Sequence, residues 1–223
     1  MTWKQVFTSS VGKKLVMGFT GIFLILFLIV HVGLNACIWA NDNGTMFNQG
    51  AHFMGGNWVP RLLEVGLFLG LILHIIQGLM LELSNRSKRG TAYAVDYGNK
   101  GSKWYSRSMG LLGTIILLFL ILHLANFWIP NRSHQGFLLG EEINLYAKMQ
   151  EVFSVLWVVI VYVLGCISLA YHLAHGFQSA FKTLGVHNKR WHSLISCLGY
   201  AFAIIVPLMF ALMPLSFYFG WVS

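Results

Sequence analysis

Residues 15–37 read LVMGFTGIFLILFLIVHVGLNAC, twenty-three positions without one charged side chain. A spanning helix needs about 20 mostly apolar residues, so this stretch crosses a bilayer. It exceeds the apolar core of a signal peptide, about 7–15 residues, and is expected to remain in the mature protein. Near its far end it carries His31 and Asn35.

Four more apolar runs follow, at roughly 62–81, 108–130, 152–181 and 193–221. With 57% hydrophobic and 10% charged residues, the chain falls in the membrane class. The expected fold is all-α: an integral membrane bundle forming a single domain over 1–223. Its helices are expected over approximately 15–37, 62–83, 106–130, 150–181 and 193–221, with the first four forming a core. Pro207 and Pro214 lie inside the fifth run, which a membrane helix tolerates with a kink.

Basic residues set the expected orientation. Lys4, Lys13 and Lys14, then Arg86, Lys88, Arg89, Lys100, Lys103 and Arg107, then Lys182, Lys189 and Arg190 fall on one side, twelve of the fifteen. Arg61, Arg132 and Lys148 fall on the other. The positive-inside rule places the N-terminus in the cytoplasm and, after five crossings, the C-terminus outside. The net charge of +8 thus reports topology, and no continuous basic groove suggests nucleic acid. Cys37, Cys166 and Cys197 are isolated and read as small packing residues, with no C-x-x-C motif.

The outer connections, about 38–60 and 131–150, carry turn chemistry at Asn41–Gly44 and Gly55-Gly56-Asn57, and residues Glu141–Tyr146 suggest a short interfacial helix. His52, His134, His187 and His192 lie in loops and read as solvated; Trp39, Trp58 and Trp128 suit an interfacial belt.

The chemistry lies in His31, His74, His123 and His172, one in each of the first four apolar segments. An ionisable side chain at membrane depth ordinarily faces the bundle interior and carries a function. Counting ~1.5 Å per residue from the basic flank puts His31 and His123 ~25 Å deep, and His74 and His172 ~15–17 Å deep. The four form two pairs at matched depths, with levels ~10 Å apart. Zinc or copper would ask for further strong donors, and neither pair has an evident Cys, Asp or Glu beside it. Haem asks for two axial ligands, and Gly70, Gly78, Ser168 and Gly176, each one turn from His74 or His172, leave room for a flat macrocycle. His175 competes with His172 on the same face, and is the alternative ligand or a contact for a propionate or quinone.

Ser10-Val11-Gly12-Lys13-Lys14, Thr20-Gly21, and Phe27 with His31 and Asn35 resemble the start of the di-haem cytochrome b membrane-anchor subunit of succinate:quinone oxidoreductases, the succinate dehydrogenases and fumarate reductases of respiratory complex II. His74-Ile75-Ile76-Gln77-Gly78, Leu122-His123-Leu124 with Phe127-Trp128, and Tyr171-His172-Leu173-Ala174-His175-Gly176-Phe177 resemble its later helices, over about the first 185 residues.

The resemblance implies two haem b groups, one on His74 and His172, nearer the iron–sulfur subunit, and a distal one on His31 and His123. It implies a flavoprotein and an iron–sulfur partner on the cytoplasmic face of a bacterial inner membrane, and quinone, menaquinone by preference, as substrate. The subunit would relay electrons, while the dicarboxylate chemistry sits on another subunit. Some relatives carry a glutamate two residues before the fourth ligand that serves proton transfer; Ala170 stands there here, so that route is absent. Glu82 and Glu64 read as interfacial groups, with Glu64 also a candidate for quinone protonation on the outer side. Two other readings remain open: the haem b anchor of a different quinone-linked dehydrogenase, and a haem-free, proton-coupled transporter using histidine relays.

Overall fold

The computed structural model describes residues 9–88, 103–135, 143–186 and 188–222. Lys4, Arg89, Lys100, Glu141, Glu142 and His187 lie outside the described residues, as do the side chains of Lys88, Lys189 and Arg190. Among the described residues the chain is helical over most of its length, without a strand. Five helical stretches are long and apolar enough to cross a membrane: Val11–Ala40, Trp58–Ser87, Met109–His134, Leu156–Thr183 and Trp191–Tyr218.

In chain order the helices are α1 (Ser10–Ala36), α2 (Thr45–Gly56), α3 (Trp58–Lys88), α4 (Trp104–Arg107), α5 (Met109–His123), α6 (Ile129–Gln135), α7 (Leu145–Phe153), α8 (Leu156–Thr183) and α9 (Lys189–Tyr218). We call the side where α1 begins the near side and the other the far side. Local chemistry fixes several starts. Ser9 caps α1 by accepting from the Gly12 amide at 3.0 Å, and Asn188 caps α9 by accepting from the Trp191 amide at 3.0 Å.

Lipid-facing helices invert the pattern of soluble ones. On α3, Leu62, Val65, Leu69, Ile72, Ile76 and Leu79 are exposed, whereas polar Gln77 is 3% exposed. In hydrocarbon the polar groups must turn inward, so the inside face of α3 is the one that carries His74 and Gln77.

The helix α1 packs on α3 and α8, and α5 packs on α8 and, more lightly, on α3, which closes a ring of four. Outside that ring α9 lies along α8 and α1. Two apolar clusters hold the assembly. The far one joins Val32 and Ile38 to Phe153, Val159, Tyr162, Val206 and Met213; the near one joins Ile25, Leu173, Phe177 and Ala203.

Several boundaries differ from the sequence reading. The fourth span begins at Leu156 rather than 150, because Val155 is extended (φ −99°, ψ 110°) and separates it from α7. Residues 150–153 therefore belong to α7, whose start is capped by Asn144, which accepts from the Ala147 amide at 2.9 Å. The short helix expected over Glu141–Tyr146 is thus found later, at Leu145–Phe153. The far-side connection also holds a whole helix, α2, in which Gly55 and Gly56 are the last turn rather than a loop. The turn at Asn41–Gly44 stands, with left-handed φ at Asn41, Asn43 and Gly44. Gly44 is required there twice over, since a Cβ would also fall 2.1 Å from the Tyr146 ring.

The third span widens immediately after His123. Residues Leu124–Trp128 form a π turn, closed by the Ile129 amide donating to the Leu124 carbonyl. Pro130 explains it: proline offers no N–H to the Asn126 carbonyl, and its ring crowds that position. The extra residue in this turn brings Asn126 Nδ2 to the Tyr162 hydroxyl at 3.1 Å.

Candidate functional site

The four membrane histidines meet in two pairs across the helix ring. His31 of α1 faces His123 of α5 with ring centroids 5.8 Å apart. His74 of α3 faces His172 of α8 at 6.3 Å. Each pair thus draws on helices opposite one another in the ring, and His172 rather than His175 is the α8 ring that faces His74. His175 is half-buried one turn nearer the end of α8.

Contacts between helices give the separation of the two levels directly. Thr20 touches His74 and lies eleven residues before His31 on the same helix. A Cβ on Gly113 would sit 3.9 Å from His172 Cε1, and Gly113 lies ten residues before His123. Tyr162 stands against His123 and lies ten residues before His172. Three helices therefore agree on a separation of ~15 Å. Counting from the flanks gives ~10 Å because it treats each helix's own basic residue as lying in one plane.

The levels differ in their surroundings. At the far level, Phe27 stacks on His31 at 5.1 Å, and Phe210 reaches the same ring from α9 at 5.5 Å. Phe119, Phe127 and Tyr162 stand at 5.7, 5.6 and 6.0 Å from His123. At the near level the rings meet small and polar neighbours, and Thr20 Oγ1 lies 3.1 Å from His74 Nδ1.

The glycines that face the near-level rings are Gly21, Gly113 and Gly176, where an added Cβ would meet His74 Cε1 at 3.8 Å, His172 Cε1 at 3.9 Å and His172 Cδ2 at 4.0 Å. Of the small residues singled out in the sequence, Gly176 does stand against His172, whereas Gly70 and Gly78 receive Phe23 and Met17 of α1, and Ser168 donates to the Leu112 carbonyl at 3.0 Å. A residue one turn away on the same helix lies above or below its histidine; the space beside a ring is lined by the neighbouring helices.

The donor set can be compared with what haem requires. An imidazole nitrogen binds a first-row metal at about 2 Å with its ring centroid about 1 Å further, so two imidazoles on one metal have centroids about 6 Å apart. The observed 5.8 and 6.3 Å suit that arrangement. Among the described residues no three His, Cys, Asp or Glu side chains gather, so each level offers a metal two imidazoles. The Nδ1 atoms of His123 and His172 are buried without a hydrogen-bond partner. The residues present fit a haem at each level.

Other polar groups have local partners. Glu64, at the far end of α3, accepts from Trp128 Nε1 at 2.5 Å and pairs with Arg132. Glu82, at the near end, pairs with Arg86 at 2.6 Å. His52, His134 and His192 are exposed, and His52 lines an open far-side cavity of about 490 Å³ together with Thr45, Asn48, Asn131 and Asn144. The three cysteines are free thiols.

Sequence reasoning singled out the four rings but not Phe210, Phe119, Tyr162 or the contact of Thr20 with His74. No residue-spacing signal identifies a neighbour contributed by another helix; Thr20-Gly21 was visible only as part of a motif. No protein-family model, curated protein or solved structure matches the chain.

Proposed function

We propose that this chain is the di-haem b membrane-anchor subunit of a succinate:quinone oxidoreductase. The observation that carries the reading is the meeting of four imidazoles, one from each of four spanning helices, as two ring pairs at two levels. His74 and His172 would hold the near haem and His31 and His123 the far one. Bound haem supplies reversible one-electron transfer between the iron oxidation states. The chain's own contribution is to hold each ring by its helix, to enclose the far pair in aromatic side chains and to keep the two levels apart.

The choice of succinate and fumarate as the couple rests on the ordered motifs around the four histidines. The flavoprotein and iron–sulfur subunits would dock on the near side, taken as cytoplasmic, where exposed Arg86, Lys103, Arg107 and Lys182 give a basic surface. Quinone, menaquinone by preference, is the membrane partner, in a bacterial inner membrane.

The test is a pyridine haem assay and a reduced-minus-oxidised spectrum on the purified chain and its single His→Ala variants. Two b haems per chain are expected. His74→Ala and His172→Ala should lose the same spectral component, and His31→Ala and His123→Ala the other. Wild-type protein without haem, or normal haem content in His74→Ala or His123→Ala, would overturn the proposal.

A further inference from the structure

Among the four paired histidines, His74 alone has a hydroxyl acceptor within reach of its second ring nitrogen. Its Nδ1 lies 3.1 Å from Thr20 Oγ1, and Thr20 is only 9% exposed. The hydroxyl hydrogen is already placed, since Oγ1 donates to the Val16 carbonyl at 2.8 Å, one turn earlier in α1. A hydroxyl has one hydrogen to give and two lone pairs. Toward His74, therefore, Thr20 accepts, and Nδ1 carries the proton.

The remaining rings are treated differently. The Nδ1 atoms of His123 and His172 have no partner. At His31 the neighbour is the Asn35 amide nitrogen at 3.4 Å, which donates to the His31 carbonyl at 2.8 Å. Gly21, next to Thr20, lets α1 lie along the edge of the His74 ring without a side chain between them.

We propose that Thr20 is the positioning residue of the near site: it holds His74 in the Nδ1–H tautomer, leaves the Nε2 lone pair for iron, and lowers the potential of the haem bound there. Accepting a hydrogen bond from Nδ1–H raises the basicity of the imidazole, and a more basic axial ligand favours the oxidised iron. The potential effect rests on the haem reading above; the tautomer does not.

Two measurements on the purified chain test this. An equilibrium redox titration of Thr20→Val should raise the midpoint of one haem and leave the other in place. The expected shift is roughly fivefold in the one-electron constant, about 40 mV at 59 mV per tenfold. Thr20→Ser keeps the hydroxyl and should restore the wild-type value, whereas a packing role alone would not be rescued in potential. If Thr20→Val does not fold, Thr20→Ala makes the same deletion of the hydroxyl.

The second measurement is a nitrogen–proton correlation spectrum of histidine-labelled chain under reducing conditions, with His74 assigned by its loss in His74→Ala. A proton on Nδ1 is expected. Two haems with both midpoints unmoved by loss of the Thr20 hydroxyl, or a His74 with its proton on Nε2, would overturn the proposal and leave the haem reading standing. Wild-type chain without haem would overturn the haem reading, and the tautomer would still be read from the same spectrum.

Discussion

Gly165→Ala isolates the packing that supports the far histidine pair. An added Cβ at 165 would fall 2.7 Å from Cγ and Cδ2 of the Phe119 ring and 3.1 Å from its Cβ. Carbon atoms pack best at about 3.5–4.0 Å, so the ring must retreat by about 1 Å. It has little room: Phe119 stacks on His123 at 5.7 Å and meets Tyr162 edge-on at 5.0 Å. Overpacking of this kind costs about 1–3 kcal/mol.

Replacing glycine by alanine also improves helix propensity, by up to about 1 kcal/mol, which would mask part of that cost. Gly33→Ala is the control, because nothing lies within 4 Å of a Cβ placed there. It makes the same chemical change on another spanning helix, so the difference between the two variants cancels propensity. Thermal unfolding of both in one detergent should separate their midpoints by about 2–12 °C, with Gly165→Ala the lower. Equal midpoints, or a Gly165→Ala variant more stable than Gly33→Ala, would refute the contact between α8 and the Phe119 ring.

Three further outcomes follow from single contacts. Ser168→Ala removes the buried hydrogen bond to the Leu112 carbonyl and should cost about 0.6 kcal/mol, the usual scale for a polar link between membrane helices, read as a lowered unfolding midpoint. Asn126→Ala and Tyr162→Phe each break the 3.1 Å bond that ties the π turn to α8; each should cost about 1 kcal/mol, and the double variant should cost less than their sum. Arg132→Ala deletes the ion pair with Glu64, whose side chains are 24% and 23% exposed, and should cost no more than about 1 kcal/mol in low salt and less in high salt; a loss that does not depend on salt would contradict the assignment.

The spans were legible because hydrocarbon imposes one rule on every residue between the interfaces: apolar outside and backbone satisfied within the helix. The break at Val155 was not, since Val is apolar and the run 152–181 continues through it without a charge or a proline. The helix α2 was hidden by its own composition. Thr45–Gly56 has three glycines and a polar face, and it is held by contacts remote in sequence, such as Asn48 Nδ2 donating to Asn144 Oδ1 at 3.0 Å. The π turn was not legible either: a proline at position 130 reads equally as a helix end or a kink, and only the i−5 bond from Ile129 to Leu124 shows a π turn. At the site, residue type and depth give the ring pairs, whereas neighbours such as Phe210 depend on how each helix is rotated about its axis.

The contrast between the two levels leads to a last prediction. Five aromatic rings stand against the far pair, from Phe27, Phe119, Phe127, Tyr162 and Phe210. Among the described residues the only rings in contact with His74 and His172 are each other, and their neighbours include Thr20, Gly21, Gly113 and Gly176. An aromatic enclosure excludes water and lowers the local dielectric, which disfavours the extra positive charge of oxidised iron. A hydrogen bond to a ligand nitrogen works in the opposite sense by making that ligand the stronger donor. The two ring pairs are built differently in both respects, so, on the proposal that each holds a haem, the redox titration should resolve into two one-electron components of equal amplitude. The same features assign them, because Phe210→Ala should shift only the component lost in His31→Ala, and Thr20→Val only the one lost in His74→Ala. A single component of double amplitude, or a Phe210→Ala shift in the component lost in His74→Ala, would show that the environments around the ring pairs do not set the potentials.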